Sequence, residues 1–225
     1  MRPTVRDVMT TDVATVRTDA TFKEIARVLM TRQVSGLPVV AADGTVVGVV
    51  SEADLLPKEE FKSVIDERPN LPRRAAKVAR AKAVGATAAE LMSSPAVAIA
   101  PDAPVAEAAR TLAEHDIKRL PVVVEGRLVG VVSRADVLKV FLKSDAEIGD
   151  LVMEEVVKRC LWEDPEFVTV DVENGIVTLG GTLQLKSLIP IAVRLTAAID
   201  GVVDVVDKLT YERDDTTAES QRYWR

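Results

Sequence analysis

Residues 5–40 align with residues 88–123 at an offset of 83, and residues 44–56 align with 126–138 at an offset of 82. A duplication of this length commits the chain to two copies of one folding unit, and whatever one copy buries its twin must bury too. Identity is 11 of 36 positions in the first stretch and 9 of 13 in the second, where GTVVGVVSEADLL faces GRLVGVVSRADVL. The constraint is concentrated in that second stretch.

Each copy opens with a methionine (Met9, Met92) and a short β-like run, Val13–Val16 or Ala96–Ile99, followed by an amphipathic helix after Asp19 or Asp102. In the first copy Phe22, Ile25, Ala26, Leu29 and Met30 recur at helical spacing, and Lys23, Glu24 and Arg27 fall on the opposite face. Apolar strands Leu37–Val40 and Val46–Val50 flank Asp43-Gly44, a hairpin signature, and a second helix starts at Ser51. The second copy keeps the β-α-β-β-α order, with Glu125-Gly126 as a shortened turn.

Between the copies lies an insert, residues 57–87, with helical character after Pro72. From Arg68 to Val84 it carries six cations (Arg68, Arg73, Arg74, Lys77, Arg80, Lys82) and no acidic residue. After Phe141 the pattern changes. A helical stretch at 146–160 precedes the alternating strand Val168–Val172, the turn Glu173-Asn174-Gly175 and the strand Ile176–Leu179; Asn-Gly suits the positive φ values of a type I′ turn. A helix from Ser187 to Ile199 and a last strand, Val202–Tyr211, complete an α-β-β-α-β unit over 145–212, and the polar tail 213–225 is expected to be mobile. The fold class is therefore α+β, with 1–56 and 88–142 as the two repeats of one module and a smaller C-terminal domain.

Of the 225 residues 48% are hydrophobic and 4% aromatic, so the expected core is aliphatic and closely packed. The formal charge of −6 argues against a polyanion binder, which disfavours nucleic acid, and the basic insert reads more simply as a solvated helix or one that docks on the acidic C-terminal domain. A single cysteine, Cys160, excludes an internal disulfide and a CxxC motif, and it reads as a half-buried helix thiol. The N-terminal stretch lacks the apolar core of a secretory signal, and no apolar run approaches the roughly 18 residues of a spanning helix, so a cytoplasmic protein is expected. No metal-ligand spacing is present. His115, at a helix end beside Asp116, has no sequence partner that would nominate it for catalysis; Trp162 is expected to anchor a core and Trp224 to lie in the tail.

The chemistry-bearing pattern is Gly44-x-x-x-Gly48-x-x-Ser51-x-x-Asp54 and its twin Gly126-x-x-x-Gly130-x-x-Ser133-x-x-Asp136. Serine at a strand-to-helix transition leaves first-turn amides for a phosphate, an aspartate one turn in can hold a ribose diol, and glycine lets a ligand come close to the backbone. Ser-x-x-Asp is equally a capping box, in which each side chain serves the other's backbone amide. Both readings are open at this point.

Together the repeated methionine, the Leu-Pro-Val-Val strands (Leu37–Val40, Leu120–Val123) and the Gly-Val-Val-Ser-x-x-Asp runs resemble a pair of CBS domains over residues 1–142. The pattern Val-x-Val-x-Asn-Gly-x-Val-x-Leu-x-Gly at 170–181, with Gly201-Val-x-x-Val205, resembles a BON domain. The CBS resemblance implies a disc-like module with two clefts for adenosine nucleotides (AMP, ADP or ATP) and a homodimer of such modules. Carried onto this chain, it implies that Asp54 and Asp136 hold ribose, that Ser51 and Ser133 face phosphate beside Gly48 and Gly130, and that Val13, Thr15, Leu37, Pro38, Ala96, Ala98, Leu120 and Pro121 wall the base. Lys118 and Arg119 stand where the first copy has Ser35 and Gly36, so cations come from the second copy alone, and Ala98 replaces the Thr15 hydroxyl. The BON resemblance implies an envelope or phospholipid surface, yet residues 145–215 hold 16 acidic and 6 basic side chains, a net −10 that repels an anionic bilayer and favours a protein partner. The expected function is a non-enzymatic adenine-nucleotide sensor or adaptor that acts through a BON-like interaction domain. The alternative is a structural, stress-associated protein docking on an envelope or phospholipid component.

Overall fold

Alternating apolar residues and strong turn signals give the strands their register, and capping residues fix where the helices begin. Both are visible in the computed structural model, which describes residues 3–60, 82 and 84–216. The described residues divide into two compact units, one within 4–137 and one within 138–216.

In the first unit α1 (Val5–Val8) is followed by β1 (Val16–Arg17), α2 (Phe22–Arg32), β2 (Gly36–Val40), β3 (Val46–Ser51) and α3 (Glu52–Glu60). The second repeat runs α4 (Ala88–Leu91), α5 (Val105–Glu114), β4 (Arg119–Val124), β5 (Arg127–Ser133) and α6 (Arg134–Leu138). Strands β2 and β3 are antiparallel, and β1 lies parallel to β2 only through Val16↔Val39 and Arg17↔Val40. The expected run Val13–Val16 is thus a strand at its last residue alone, and in the second copy the run Ala96–Ile99 reduces to one parallel bridge, Ile99↔Val122. A capping box starts α2, where the Thr21 hydroxyl accepts from Glu24 N–H and the Glu24 carboxylate accepts from Thr21 N–H at 2.7 Å.

Each repeat has its own core, but the short helix that opens a repeat packs in the other one. Val5 of α1 is buried with Ile99, Ala108, Leu112, Leu120, Val122 and Val132 of the second repeat. Ala88 and Leu91 of α4 are buried with Ile25, Leu29, Leu37, Val39 and Val50 of the first. The exchange is symmetric: Val5 N–H donates to the Ala103 carbonyl at 2.8 Å, and its twin Ala88 N–H donates to the Ala20 carbonyl at 2.8 Å. Thr10 bridges to Val131 and Ser93 bridges to Val49 in the same way.

The second unit begins with the 3-10 turn Lys139–Leu142 and α7 (Asp145–Leu151), which continues without a break as a π-helix, Val152–Leu161. Then come β6 (Val168–Glu173), β7 (Ile176–Leu185), α8 (Leu188–Thr196) and β8 (Asp204–Arg213), with sheet order β6-β7-β8, the first pair antiparallel and the second parallel. Asn174 (φ 53) and Gly175 (φ 77) form the two-residue turn with both φ values positive, and the Asp145 carboxylate accepts both of their amides at 2.8 Å. Ile148, Val152, Val156 and Val157 from the helix, Val168, Val177, Leu179 and Leu183 from the sheet, and Ala192 from α8 make the core. At Gly181 (φ +102) a Cβ would stand 2.0 Å from the Phe167 carbonyl oxygen, so glycine is needed for the chain to pass.

Trp162 does not anchor this core. It terminates the π-helix in the left-handed region (φ 57) and is 85% exposed, because the helix has delivered its apolar face through Leu161 and the indole falls beyond it. Cys160 is exposed rather than half-buried, one residue before the last buried position of that face. Of the insert, residues 57–60, Lys82 and residues 84–87 are described; Arg68, Arg73, Arg74, Lys77, Arg80 and most of the stretch expected to be helical after Pro72 lie outside the described residues, as do tail residues 217–225 with Trp224. Among the described residues no helix is long and apolar enough to cross a membrane.

Candidate functional site

The Ser-x-x-Asp motif closes on itself in both copies, as a full capping box in the second, where Asp136 N–H returns to Ser133 Oγ at 3.3 Å. Asp54 Oδ2 accepts from Ser51 N–H and Ser51 Oγ, each at 2.7 Å, and Asp136 Oδ2 accepts from Ser133 N–H at 2.9 Å and Ser133 Oγ at 2.6 Å. The next amide is engaged too: Glu52 N–H donates to the Ser35 carbonyl and Arg134 N–H to the Lys118 carbonyl, both at 3.1 Å. The two leading amides at each helix start are therefore satisfied within the chain. Both aspartates are buried, each 8% exposed.

Asp54 looks into a cleft of about 270 Å³ that is built from both repeats. The first repeat contributes Ser35, Gly36, Val49 and the helix start Ser51–Asp54; the second contributes Ser93, Pro95, Ala96, Val97 and the run Asp116–Arg119. Of the residues named from the sequence, Ser51, Asp54, Ala96, Lys118 and Arg119 meet here. The exchange of opening segments explains the grouping, since it carries residues 93–97 of the second repeat onto β3 of the first.

Arg119 crosses between the copies. Its guanidinium donates to the carbonyl of Gly36, its own counterpart in the first copy, at 3.0 Å and to Ser35 Oγ at 2.6 Å. Burial pulls its pKa below the ordinary value, opposed by the carboxylates of Glu52 and Asp136. Asp54 has a second partner that the motif did not foretell: Lys82 Nζ donates to Asp54 Oδ1. Of the six cations between Arg68 and Val84 Lys82 is the one described, and it is engaged inside this unit.

Other named residues are placed differently. Leu37 and Leu120 are fully buried core residues, Pro38 and Pro121 are buried beside them, and the cleft is walled instead by the residues just before each Leu-Pro pair. Gly48 and Gly130 make room for protein. A Cβ on Gly48 would stand 2.5 Å from Met92 Sδ and 2.8 Å from the Ser93 carbonyl, and one on Gly130 would stand 2.7 Å from Met9 Sδ. The repeated methionine and the repeated glycine thus touch across the exchange. Val13, Thr15, Ala98, Ser133 and Asp136 do not line the Asp54 cleft; Thr15 and Ala98 are exposed and Val13 is half-buried. The lining residues Val49, Ser93, Pro95 and Ile117 were not singled out; Ser93 and Pro95 belong to the segment that the exchange carries onto β3. Among the described residues no group of three or more His, Cys, Asp or Glu could hold a metal ion, and His115 is an exposed helix cap.

Residues 5–58 and 88–143 match the CBS domain, and residues 144–213 match the BON domain. A crystal structure of CBSX2 in complex with AMP is similar with a TM-score of 0.53 and 30% identity, over 60% of this chain and 94% of that one; CBSX2 is a chloroplastic protein of Arabidopsis thaliana. The CBS domain-containing protein YhcV of Bacillus subtilis is 29% identical over 132 residues, 59% of this chain and 81% of that protein. Protein MJ1225 of Methanocaldococcus jannaschii is 28% identical over 170 residues, 69% of this chain. The match takes in 52% of MJ1225, 36% of MJ1404 from the same organism and 23% of a homoserine O-acetyltransferase from Methanohalobium evestigatum. CBS pairs are regulatory ligand-sensing modules and BON domains are interaction modules; neither is a catalytic domain. This chain carries a tandem pair of CBS domains followed by a BON domain.

Proposed function

We propose that the protein is a regulatory adenine-nucleotide sensor, whose CBS pair takes up AMP, ADP or ATP in the Asp54 cleft and whose BON domain passes occupancy on to a protein partner. The observation that carries this reading is the grouping, in one cleft, of a buried carboxylate suited to a ribose diol with Lys118 and Arg119, two cations suited to phosphate. Its volume, about 270 Å³, lies near the lower end of the range of roughly 300–1,000 Å³ usual for small-molecule sites and suits a mononucleotide. The AMP complex of CBSX2 supports the choice of ligand. Asp136 would serve as the ribose contact of a second cleft. The module pairs with a second copy of itself, through apolar helix positions such as Met30 of α2 and Leu56 of α3, which are 77% and 61% exposed in the single chain. A protein partner is favoured over phospholipid for the BON domain because residues 145–215 carry a net −10.

A thermal-shift panel of AMP, ADP, ATP, NAD and S-adenosylmethionine tests the ligand assignment. Selective binding to the folded state raises the unfolding temperature, so an adenine mononucleotide should raise it at millimolar concentration. No shift with any of the five removes the sensor reading.

A further inference from the structure

Lys82 already occupies the carboxylate that a ribose would need. Its Nζ donates to Asp54 Oδ1 and lies 3.5 Å from Ser93 Oγ, and the Lys82 and Asp54 side chains are only 15% and 11% exposed. Lys82 is not itself a lining residue, but both of its partners line the cleft. Oδ2 already accepts two hydrogen bonds from Ser51, so a diol arriving at Asp54 competes with the ammonium for Oδ1, and an ammonium held largely out of water without a counter-charge is costly. The two leading amides of the helix start are closed to an incoming anion, since those of Ser51 and Glu52 are bonded to Asp54 and to the Ser35 carbonyl. Side-chain cations are the charged partners left for a phosphate, and Lys82 is the one that loses its partner as the ribose binds.

We propose that Lys82 makes the Asp54 cleft selective for adenine ligands that carry a phosphate. The ribose takes Asp54 from Lys82, and the ligand's own phosphate becomes the new partner of the ammonium, beside Lys118 and Arg119. A neutral nucleoside leaves the ammonium unpaired, and a sulfonium such as S-adenosylmethionine adds a like charge. The inference rests on the nucleotide reading given above and adds to it the residue that sets ligand class.

The test is calorimetric titration of the full chain with AMP and with adenosine, in an Asp136→Asn background so that the Asp54 cleft is the one read. AMP should bind at least about tenfold more tightly than adenosine, in line with a charge-assisted contact. Lys82→Met should weaken AMP by about tenfold and leave adenosine unchanged or tighter, so that the gap closes from both sides. A gain in adenosine binding cannot come from misfolding, and Lys82→Gln serves if the methionine variant does not fold. An unchanged gap in a folded Lys82 variant overturns the inference and leaves the nucleotide reading standing. If AMP fails to bind the Asp136→Asn protein at millimolar concentration while Lys82 is intact, the assignment of this cleft to a nucleotide falls, and the inference falls with it.

Discussion

Gly48 and Met92 show how a repeated motif can be shared between two tasks. The glycine sits on β3, three positions before Ser51 in a run whose last members, Ser51 and Asp54, face the cleft, yet its missing Cβ is filled by the methionine of the other repeat. Gly48→Ala would bring a methyl group to 2.8 Å from the Ser93 carbonyl, a backbone atom that cannot rotate away. Overpacking of this kind costs about 1–3 kcal/mol. Urea denaturation of the variant should show that loss, and Gly130→Ala should show a similar one, since its Cβ would stand 3.0 Å from the Thr10 carbonyl. Stability unchanged in both would mean that the exchanged segments are not packed as described. The sequence alone offered ligand approach as the reason for these glycines, because a glycine next to a phosphate-like motif and a glycine under a methionine are spelled the same way. Arg119 was legible as a cation of the cleft; Lys82 was legible only as one of six in a basic run, since its pairing with Asp54 joins residues 28 apart.

At the scale of elements, the exchange of α1 and α4 ties the two repeats together. Leu91 is fully buried in the core of the repeat that precedes it, so Leu91→Ala should cost about 2–5 kcal/mol. Hydrogen exchange should then accelerate in β2 and β3 of the first repeat more than in β4 and β5; faster exchange confined to the second repeat would contradict the exchange. Helix starts carry the pH dependence. The amide and hydroxyl of Thr21 hold the Glu24 carboxyl below its ordinary value of 4.5, those of Ser144 do the same for Glu147, and the amides of Ala86 and Thr87 do so for Glu90. Asp214, bonded to Lys186 and Thr216, is lowered to about 2. A carboxylate lowered in the folded state stabilises fully above its unfolded value and loses that contribution as pH falls through the folded one. The unfolding temperature should therefore hold above pH 5 and fall steadily from about pH 4.5 toward pH 2, with a shallower fall in Glu24→Gln. The order of strands and helices was readable from apolar spacing and from turns such as Asn174-Gly175, whose preference is local. The partner of each opening helix was not, because a four-residue helix such as Val5–Val8 suits either core equally well by pattern.

At the scale of the whole molecule, a ligand-sensing pair is expected to work as a dimer. Sedimentation velocity of the full chain should give a dimer at micromolar concentration, and placing charges at the exposed apolar positions, Met30→Lys with Leu56→Glu, should return a folded monomer. A wild-type monomer throughout the micromolar range would contradict that assembly. The proposed site needs both repeats, since Asp54 comes from one and Lys118 and Arg119 from the other. The most direct measurement of the central claim is isothermal titration calorimetry of the wild-type chain with AMP, repeated on Asp54→Asn. The account predicts saturable binding by the wild type and a loss of about 1–2 kcal/mol, roughly a tenfold or greater weakening, in the variant; absence of AMP, ADP and ATP binding by the wild type at millimolar concentration, or identical binding by the Asp54→Asn protein, would contradict it.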